Sequence, residues 1–267
     1  MAKKRLDLLL VENGLAESRE RAKTMIMEGN VLVDEKKIDK CGTLVKEEAK
    51  IRLLKEDFPF VSRGGLKLKK AIESFNIDLN EKTAADIGAS TGGFTDCMLQ
   101  NGAIKVYAID VGYGQLAWKL RQDDRVVNLE RVNIRYVTEE NIPELLDFIS
   151  IDVAFISLEK VLPVAKKFLK DDGKIVALIK PQFEAGKDKV GKKGVVKDAN
   201  IHIEVINKII AFCRTEKLSI IDLTFSPIKG PEGNIEYLIY LEKNLNNSDN
   251  FNEENVNIIV QEAHENL

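Results

Sequence analysis

The spacing of apolar positions changes near residue 60. Before it, Leu6, Leu8, Leu9, Leu10 and Val11 crowd into one helix-length stretch that Gly14 can end. Ser18 suits the N-cap of a second helix, Arg19 to Glu28, closed by Gly29 and striped by Ala22, Met25 and Ile26. Short apolar runs follow at 31–33, 38 and 51–54, with the polar turn Asp34-Glu35-Lys36-Lys37 between the first two. These features predict a small α+β unit over residues 1–54.

From about residue 61, strand-like and helix-like segments alternate. The pattern predicts strands at Ala84–Ile87, Val106–Asp110, Val126–Leu129, Phe148–Asp152, Lys174–Ile179, Ile220–Phe225 and Glu236–Leu241. Helices fit at Gly93–Asn101, Gln115–Arg121, Leu158–Leu169 and Asn200–Glu216. Such alternation predicts an α/β fold, a parallel sheet covered on both faces. A short Pro-Gly loop joins the last two strands, which predicts antiparallel neighbours because a parallel pair needs a longer crossover. Residues 55–61, with Glu56-Asp57-Phe58-Pro59-Phe60, read as a linker, 62–243 as the large domain and 244–267 as an acidic tail.

Charge narrows the picture. The net charge is -3, and Asn246 to Leu267 contain five acids and no Lys or Arg, so the rest of the chain stands at about +2. Any basic surface must be local. Cys41, Cys97 and Cys213 have no paired spacing, and His202 and His264 are the only histidines. Free thiols in a reducing compartment are expected, and no metal site. The basic start Met1-Ala2-Lys3-Lys4-Arg5 leads into an apolar run cut by Asp7 and Glu12, unlike a secretory signal. No segment approaches the ~20 apolar residues of a membrane span. The expectation is a soluble cytoplasmic protein, with oligomeric state left open.

The candidate chemistry starts at Asp86-Ile87-Gly88-Ala89-Ser90-Thr91-Gly92-Gly93-Phe94. A strand running into this turn, with Asp110 closing the next strand, suits a nucleoside whose ribose hydroxyls bond a carboxylate. The spacing G-x-x-x-G-G differs from the G-x-G-x-x-G of dinucleotide sites, and no P-loop lysine follows. S-adenosylmethionine fits the loop; an ordinary tight strand–helix turn fits it too. Asp86, Asp110 and Asp152 all fall at strand ends and are expected on one rim, joined by Lys180 of Lys180-Pro181-Gln182-Phe183. Lys180 and Asp152 read either as an acid–base pair or as a surface salt bridge. Lys67, after Ser62-Arg63-Gly64-Gly65, and Glu236, after Gly233-Asn234-Ile235, cannot be placed by spacing. The loop from Lys180 to Lys197 carries Lys187, Lys189, Lys192, Lys193 and Lys197, and reads equally as a phosphate-tracking lid or as a solvated loop.

Five segments in order carry a resemblance: 61–68, 86–94, 152–158, 178–184 and 233–236. The large domain resembles the FtsJ-like RNA ribose 2'-O-methyltransferases. The whole chain resembles the TlyA family, named as hemolysins and similar to ribosomal RNA cytidine-2'-O-methyltransferases. Residues 1 to about 60 look like the RNA-binding module of ribosomal protein S-four. The resemblance implies a Rossmann-like seven-strand class I methyltransferase sheet, with a catalytic tetrad at Lys67, Asp152, Lys180 and Glu236. It implies S-adenosylmethionine held by Asp86, Gly88, Ala89, Ser90, Gly92, Gly93, Phe94, Asp110, Asn133 and Ile134. RNA contacts are expected at Arg5, Arg19, Arg21 and Lys23, on ribosomal RNA or a ribosomal subunit. Lys67 near Lys180 is expected to help keep one lysine neutral. The acidic start of the linker and the Asn/Glu-rich tail after Glu242 depart from the family. A membrane-active hemolysin is the competing class, set against the missing span and signal. An assembly factor without catalysis is set against the filled tetrad, and a nicotinamide enzyme against the glycine spacing.

Overall fold

The change of period near residue 60 is a change of unit. In the computed structural model the chain divides into Met1–Pro59 and Phe60–Leu267. The structure describes residues 3–16, 18–27, 29–53, 59–243 and 251–267. Most of the expected linker, 55–58, and the tail residues 244–250 lie outside the described residues.

In the first unit, β1 (Lys3–Arg5) leads into α1 (Leu6–Glu12) and α2 (Arg19–Met27). Leu6, Leu9 and Leu10 of α1 and Ala22, Met25 and Ile26 of α2 are buried around Val31 and Val33. These valines belong to β2 (Val31–Val33), which pairs antiparallel with β3 (Lys36–Ile38) and β5 (Ile51–Leu53). β1 pairs with β4 (Leu44–Lys46), a ribbon the pattern did not signal. Three-residue strands rich in lysine show no apolar alternation to read.

The second unit runs α3 (Gly65–Phe75), β6 (Thr83–Ile87), α4 (Gly93–Gln100), β7 (Lys105–Asp110), α5 (Trp118–Arg121) and β8 (Val126–Glu130). It continues through β9 (Leu146–Ile151), α6 (Leu158–Ala165), β10 (Leu169–Ile179), α7 (Pro181–Glu184), α8 (Ala199–Thr215), β11 (Leu218–Phe225), β12 (Tyr237–Lys243) and α9 (Glu254–Asn266). The seven strands form one sheet in the order β11-β12-β10-β9-β6-β7-β8. The pairs from β10 to β8 are parallel, and β12 is antiparallel to both β10 and β11. This is a Rossmann-like α/β sheet, and its last two strands are the expected antiparallel neighbours. β6 has β7 on one side and β9 on the other, so the strand order reverses there; ligand crevices form outside the carboxyl ends at such a point.

Three elements differ from the pattern. The expected helix 115–121 is helical only from Trp118, because the amides of Gln115 and Leu116 donate to the Glu130 carboxylate instead. The expected helix 158–169 ends at Ala165, and β10 begins at Leu169 with an irregular pairing before Lys174. The acidic tail is not wholly solvated. It contains α9, whose Val256, Val260 and Ala263 form a buried stripe at helical spacing, in contact with α8 and β11.

Candidate active site

Strand direction brings the first residues together. Asp152 directly follows β9, and its amide extends the ladder by donating to the Ile87 carbonyl at 2.9 Å. Lys180 directly follows the adjacent parallel strand β10. Because β12 is antiparallel, it starts where β10 ends, with Tyr237 opposite Ile179, so Glu236 arrives on the same rim. Lys67 comes from the first turn of α3, and two glycine contacts allow it. A Cβ on Gly93 would lie 2.7 Å from the Gly65 amide nitrogen, and one on Gly65 would strike the Phe60 ring. Glycine at both places lets the start of α3 lie against the start of α4.

The four side chains alternate in charge. Glu236 Oε2 accepts from Lys67 Nζ at 2.7 Å; Lys67 Nζ also reaches Asp152 Oδ2 at 3.5 Å; Asp152 Oδ1 lies 2.5 Å from Lys180 Nζ. Glu236 is fully buried, and Lys67 and Lys180 are 7% and 8% exposed. Two nearly buried cations stand beside the buried Glu236 and the partly exposed Asp152, so the cluster carries no net charge, which offsets the cost of desolvating it. Burial pulls the Lys67 ammonium down, but Asp152 and Glu236 outweigh it and hold the group above its ordinary value. Burial pushes the Asp152 carboxyl up, and Lys180 and Lys67 more than reverse this. Lys67 is therefore held charged, with the Asp152 carboxylate standing between it and Lys180.

The glycine loop is organised by packing. A Cβ on Gly88 would lie 2.4 Å from the Asp152 carbonyl oxygen, and one on Gly92 would strike Leu116 and Leu120. Both have positive φ, +90° and +95°. Asp86 does not join the rim. Its side chain is fully buried and accepts from the Thr95 amide at 2.9 Å and the Thr95 hydroxyl at 2.7 Å, holding the first turn of α4. Burial, opposed by these Thr95 bonds, pushes its carboxyl up to about 7. The Phe94 ring is buried in the core. Ala89, Gly92, Gly93 and Ile134 are also buried, while Gly88, Ser90, Asp110 and Asn133 are partly or fully exposed. Asp110 accepts from Ser90 N at 2.8 Å and Gly112 N at 2.7 Å, which fixes its carboxylate at the end of β7. Asn133 uses its oxygen on the Arg135 amide at 3.1 Å.

Two features beside the tetrad escaped the sequence reading. Gln182 donates to Glu236 Oε1 at 3.2 Å, while its own Oε1 is buried without a partner among the described residues. Phe155 is 90% exposed at φ +61° and tilts against Phe183 with ring centres 5.0 Å apart. Both lie in segments that carry the family resemblance, Asp152–Leu158 and Leu178–Glu184; an aromatic three residues after the strand-end Asp152 is the signal the sequence offers.

In the first unit, the buried Asp7 gathers two of the expected RNA contacts. Its Oδ1 and Oδ2 accept from Arg5 Nε and Nη2, both at 2.9 Å, and Oδ2 also accepts from Arg19 Nε at 3.0 Å. The Arg5 bond, opposed by burial and joined by Arg19, holds the Asp7 carboxyl far below the usual carboxylate range. Arg21 is exposed and Lys23 partly exposed.

The chain is similar to known proteins over both of its units. Residues 60–243 match the FtsJ-like methyltransferase family, and residues 4–51 match the S4 domain. A Bacillus subtilis protein provisionally named as an rRNA methyltransferase, YqxC, is 48% identical over 268 residues, covering 99% of this chain and 95% of its own. The 16S/23S rRNA (cytidine-2'-O)-methyltransferase TlyA of Mycobacterium tuberculosis is 42% identical over 238 residues, covering 89% of each chain. A solved structure from Streptococcus thermophilus, provisionally named as a hemolysin, is similar with a TM-score of 0.78 at 46% identity, covering 100% of this chain and 97% of its own. The chain belongs to the FtsJ-like methyltransferase family and carries an S4 domain at its N-terminal side.

Proposed function

We propose that this protein transfers a methyl group from S-adenosylmethionine to the 2'-hydroxyl of a cytidine ribose in ribosomal RNA. The observation that carries the reading is the buried chain Glu236–Lys67–Asp152–Lys180 at the carboxyl rim of the sheet. The cytidine and its 2'-oxygen are carried over from the name of the tuberculosis relative. The cofactor fits the donor set beside the tetrad. Asp110, steadied by two backbone amides and partly exposed, suits the paired hydroxyls of a ribose. The run Gly88–Gly93 offers no Lys or Arg to a pyrophosphate. Gly88, Ser90, Asp110 and Asn133 would make the contacts, while Asp86, Ala89, Gly92, Gly93, Phe94 and Ile134 shape the turn behind them.

When bound, S-adenosylmethionine supplies a methyl group activated on a sulfonium. A ribose hydroxyl is a weak nucleophile and needs strict alignment and help as its proton leaves. Lys180 Nζ, paired with one carboxylate where Lys67 has two, is the group that would accept that proton in its neutral form or, as an ammonium, meet the charge on the oxygen while water takes the proton. Asp152 holds Lys180 in place. Lys67 and Glu236 position the ribose, and the unpartnered Gln182 Oε1 accepts a donor from the same nucleotide. Phe155 presents an aromatic face on which an unstacked base can lie.

Arg5, Arg19, Arg21 and Lys23 of the S4 unit would bind structured RNA through phosphates. An RNA substrate of this kind would put the protein in the cytoplasm, in accord with cysteines that have no paired spacing. Hemolysin appears in relatives' names, but no helix among the described residues is long and apolar enough to cross a membrane. The test is labelled methyl transfer to purified ribosomal subunits, with mapping of the modified ribose. Lys180→Ala should lower the rate by about 10²–10⁴-fold while cofactor binding, measured separately, holds. Methylation at a base atom, or full turnover by this variant, would sink the reading.

A further inference from the structure

The tetrad leaves a large group of cations in the second unit unused. Lys189, Lys192, Lys193 and Lys197 line a cleft of about 870 Å³ together with Lys229, from the loop before Glu236, and His264 of α9. Lys192, Lys193, Lys197 and Lys229 are exposed and form no ion pair among the described residues; Lys189 pairs with Glu204. Asp198 and Glu232 are the acidic side chains of the cleft, and Asp198 already caps α8 through the Asn200 amide at 2.9 Å. Lysines are therefore in excess around one concavity. Gathering like charges opposes folding, so stability does not explain the arrangement.

The segment that carries them is anchored. Gly191 N donates to the Val195 carbonyl at 3.1 Å and Gly194 N to the Gly191 carbonyl at 2.8 Å, which closes a tight turn. The buried Asn234 ties the turn down. Its Nδ2 donates to the Gly194 carbonyl at 3.0 Å, and its Oδ1 accepts from the Val196 amide at 3.2 Å. The ring of His202 meets the Val196 carbonyl at 2.9 Å. Asn234 stands two residues before Glu236, and a Cβ on Gly230 would lie 2.2 Å from Glu236 Oε1. The lysine turn and Lys229 are thus built onto the same short segment that delivers Glu236 to the tetrad.

We propose that this cleft is a second RNA-docking surface, which holds backbone phosphates of the strand flanking the target nucleotide. It rests on the RNA-methylating reading above and adds a contact surface outside the S4 unit. Lysine ammoniums are compact point charges, and the cleft's lining holds no Phe, Tyr, Trp or Arg, so lysines dominate it and suit phosphates more than base edges. Its contribution is to binding and register, and is insensitive to sequence.

The test uses the full chain with Lys192, Lys193 and Lys229 replaced together by Gln. All three are exposed, so the fold and cofactor affinity should hold, and both are measured. On naked ribosomal RNA the affinity should fall about tenfold or more. The slope of log affinity against log salt should become shallower by about 2, the sum expected for three lost single-strand phosphate contacts. The KM for RNA should rise with kcat little changed. Wild-type affinity and slope in the variant overturn the proposal while leaving the methyl-transfer reading intact. A defect seen on intact subunits but not on naked RNA also overturns it, in favour of a ribosomal protein partner. Failure of the unaltered protein to bind or methylate RNA removes both readings together.

Discussion

Asp152 and Asp7 are both carboxylates with two basic partners, yet they organise opposite kinds of site. Asp152 lies between Lys67 and Lys180, both nearly buried, and the second carboxylate Glu236 completes a cluster without net charge. Asp7 is fully buried, but Arg5 and Arg19 are only half-covered and outnumber it. One arrangement spends its charge internally and holds four polar atoms in fixed positions, as a site that aligns and transfers must. The other keeps a surplus positive charge at the surface, with unused guanidinium N–H groups available to an anion. Burial of the cations, more than of the anion, separates the two.

Removing the central anion breaks this comparison most sharply. Asp152→Asn leaves two nearly buried ammoniums with Glu236 alone. Stripping one partner from a buried ion cluster costs on the order of 3–5 kcal/mol, and methyl transfer should be lost with it. The sign with pH follows from the lowered Asp152 carboxyl. Its contribution is present above the ordinary value of 3.8 and disappears as pH falls through the lower native value. The stability gap between wild type and Asp152→Asn should thus be full at neutrality and shrink in strong acid. Denaturant titrations across that range check it, and a gap of under ~1 kcal/mol at pH 7 would contradict the account.

Asp86 sharpens the contrast, because it is buried with no cation beside it among the described residues. Thr95 supplies two short hydrogen bonds and the Ser150 hydroxyl a longer one at 3.4 Å, and burial pushes its carboxyl up to about 7. An acid raised in the folded state binds more protons there than when unfolded. Its linkage therefore makes stability fall as pH rises from about 4 to about 7, and level off above. At about 1.4 kcal/mol per unit the fall is at most ~4 kcal/mol, an upper bound for one group. Asp86→Asn should flatten this part of the profile. Parallel profiles for the two proteins would show that Asp86 is ionised throughout.

How far the sequence could be read follows the same division. Strand–helix alternation was legible because a doubly covered sheet imposes it, and the short loop before β12 announced its direction. That direction is what places Glu236 beside Lys180, yet no spacing rule shows a meeting between residues 67, 152, 180 and 236. Only the resemblance grouped them. The glycine loop was legible as glycine, but the reason was missed. Gly88, Gly92 and Gly93 yield space to Asp152, to Leu116 and Leu120, and to α3. Asp86 looked like its neighbours Asp110 and Asp152, since a strand end does not reveal whether a side chain turns to the rim or under the next helix. The apolar stripe of α9 was present at Val256, Val260 and Ala263, obscured by the Asn- and Glu-rich composition around it.

The smallest effect tests the other half of the comparison. Asp7→Asn keeps an acceptor for one guanidinium and removes the charge that gathers both. Arg5 and Arg19 can turn to solvent, so the loss of stability should be about 1 kcal/mol, well below that of Asp152→Asn. RNA affinity should nevertheless weaken, because two guanidiniums held on one carboxylate meet a phosphate without first losing their freedom. The count of basic groups is unchanged, so the salt slope should stay near the wild-type value while affinity drops across all salt concentrations. Arg19→Gln, by contrast, should lower the slope by about one contact. If Asp7→Asn instead changed the slope and left affinity at low salt untouched, Asp7 would be a structural anchor only. The surplus charge of this unit would then act without preorganisation.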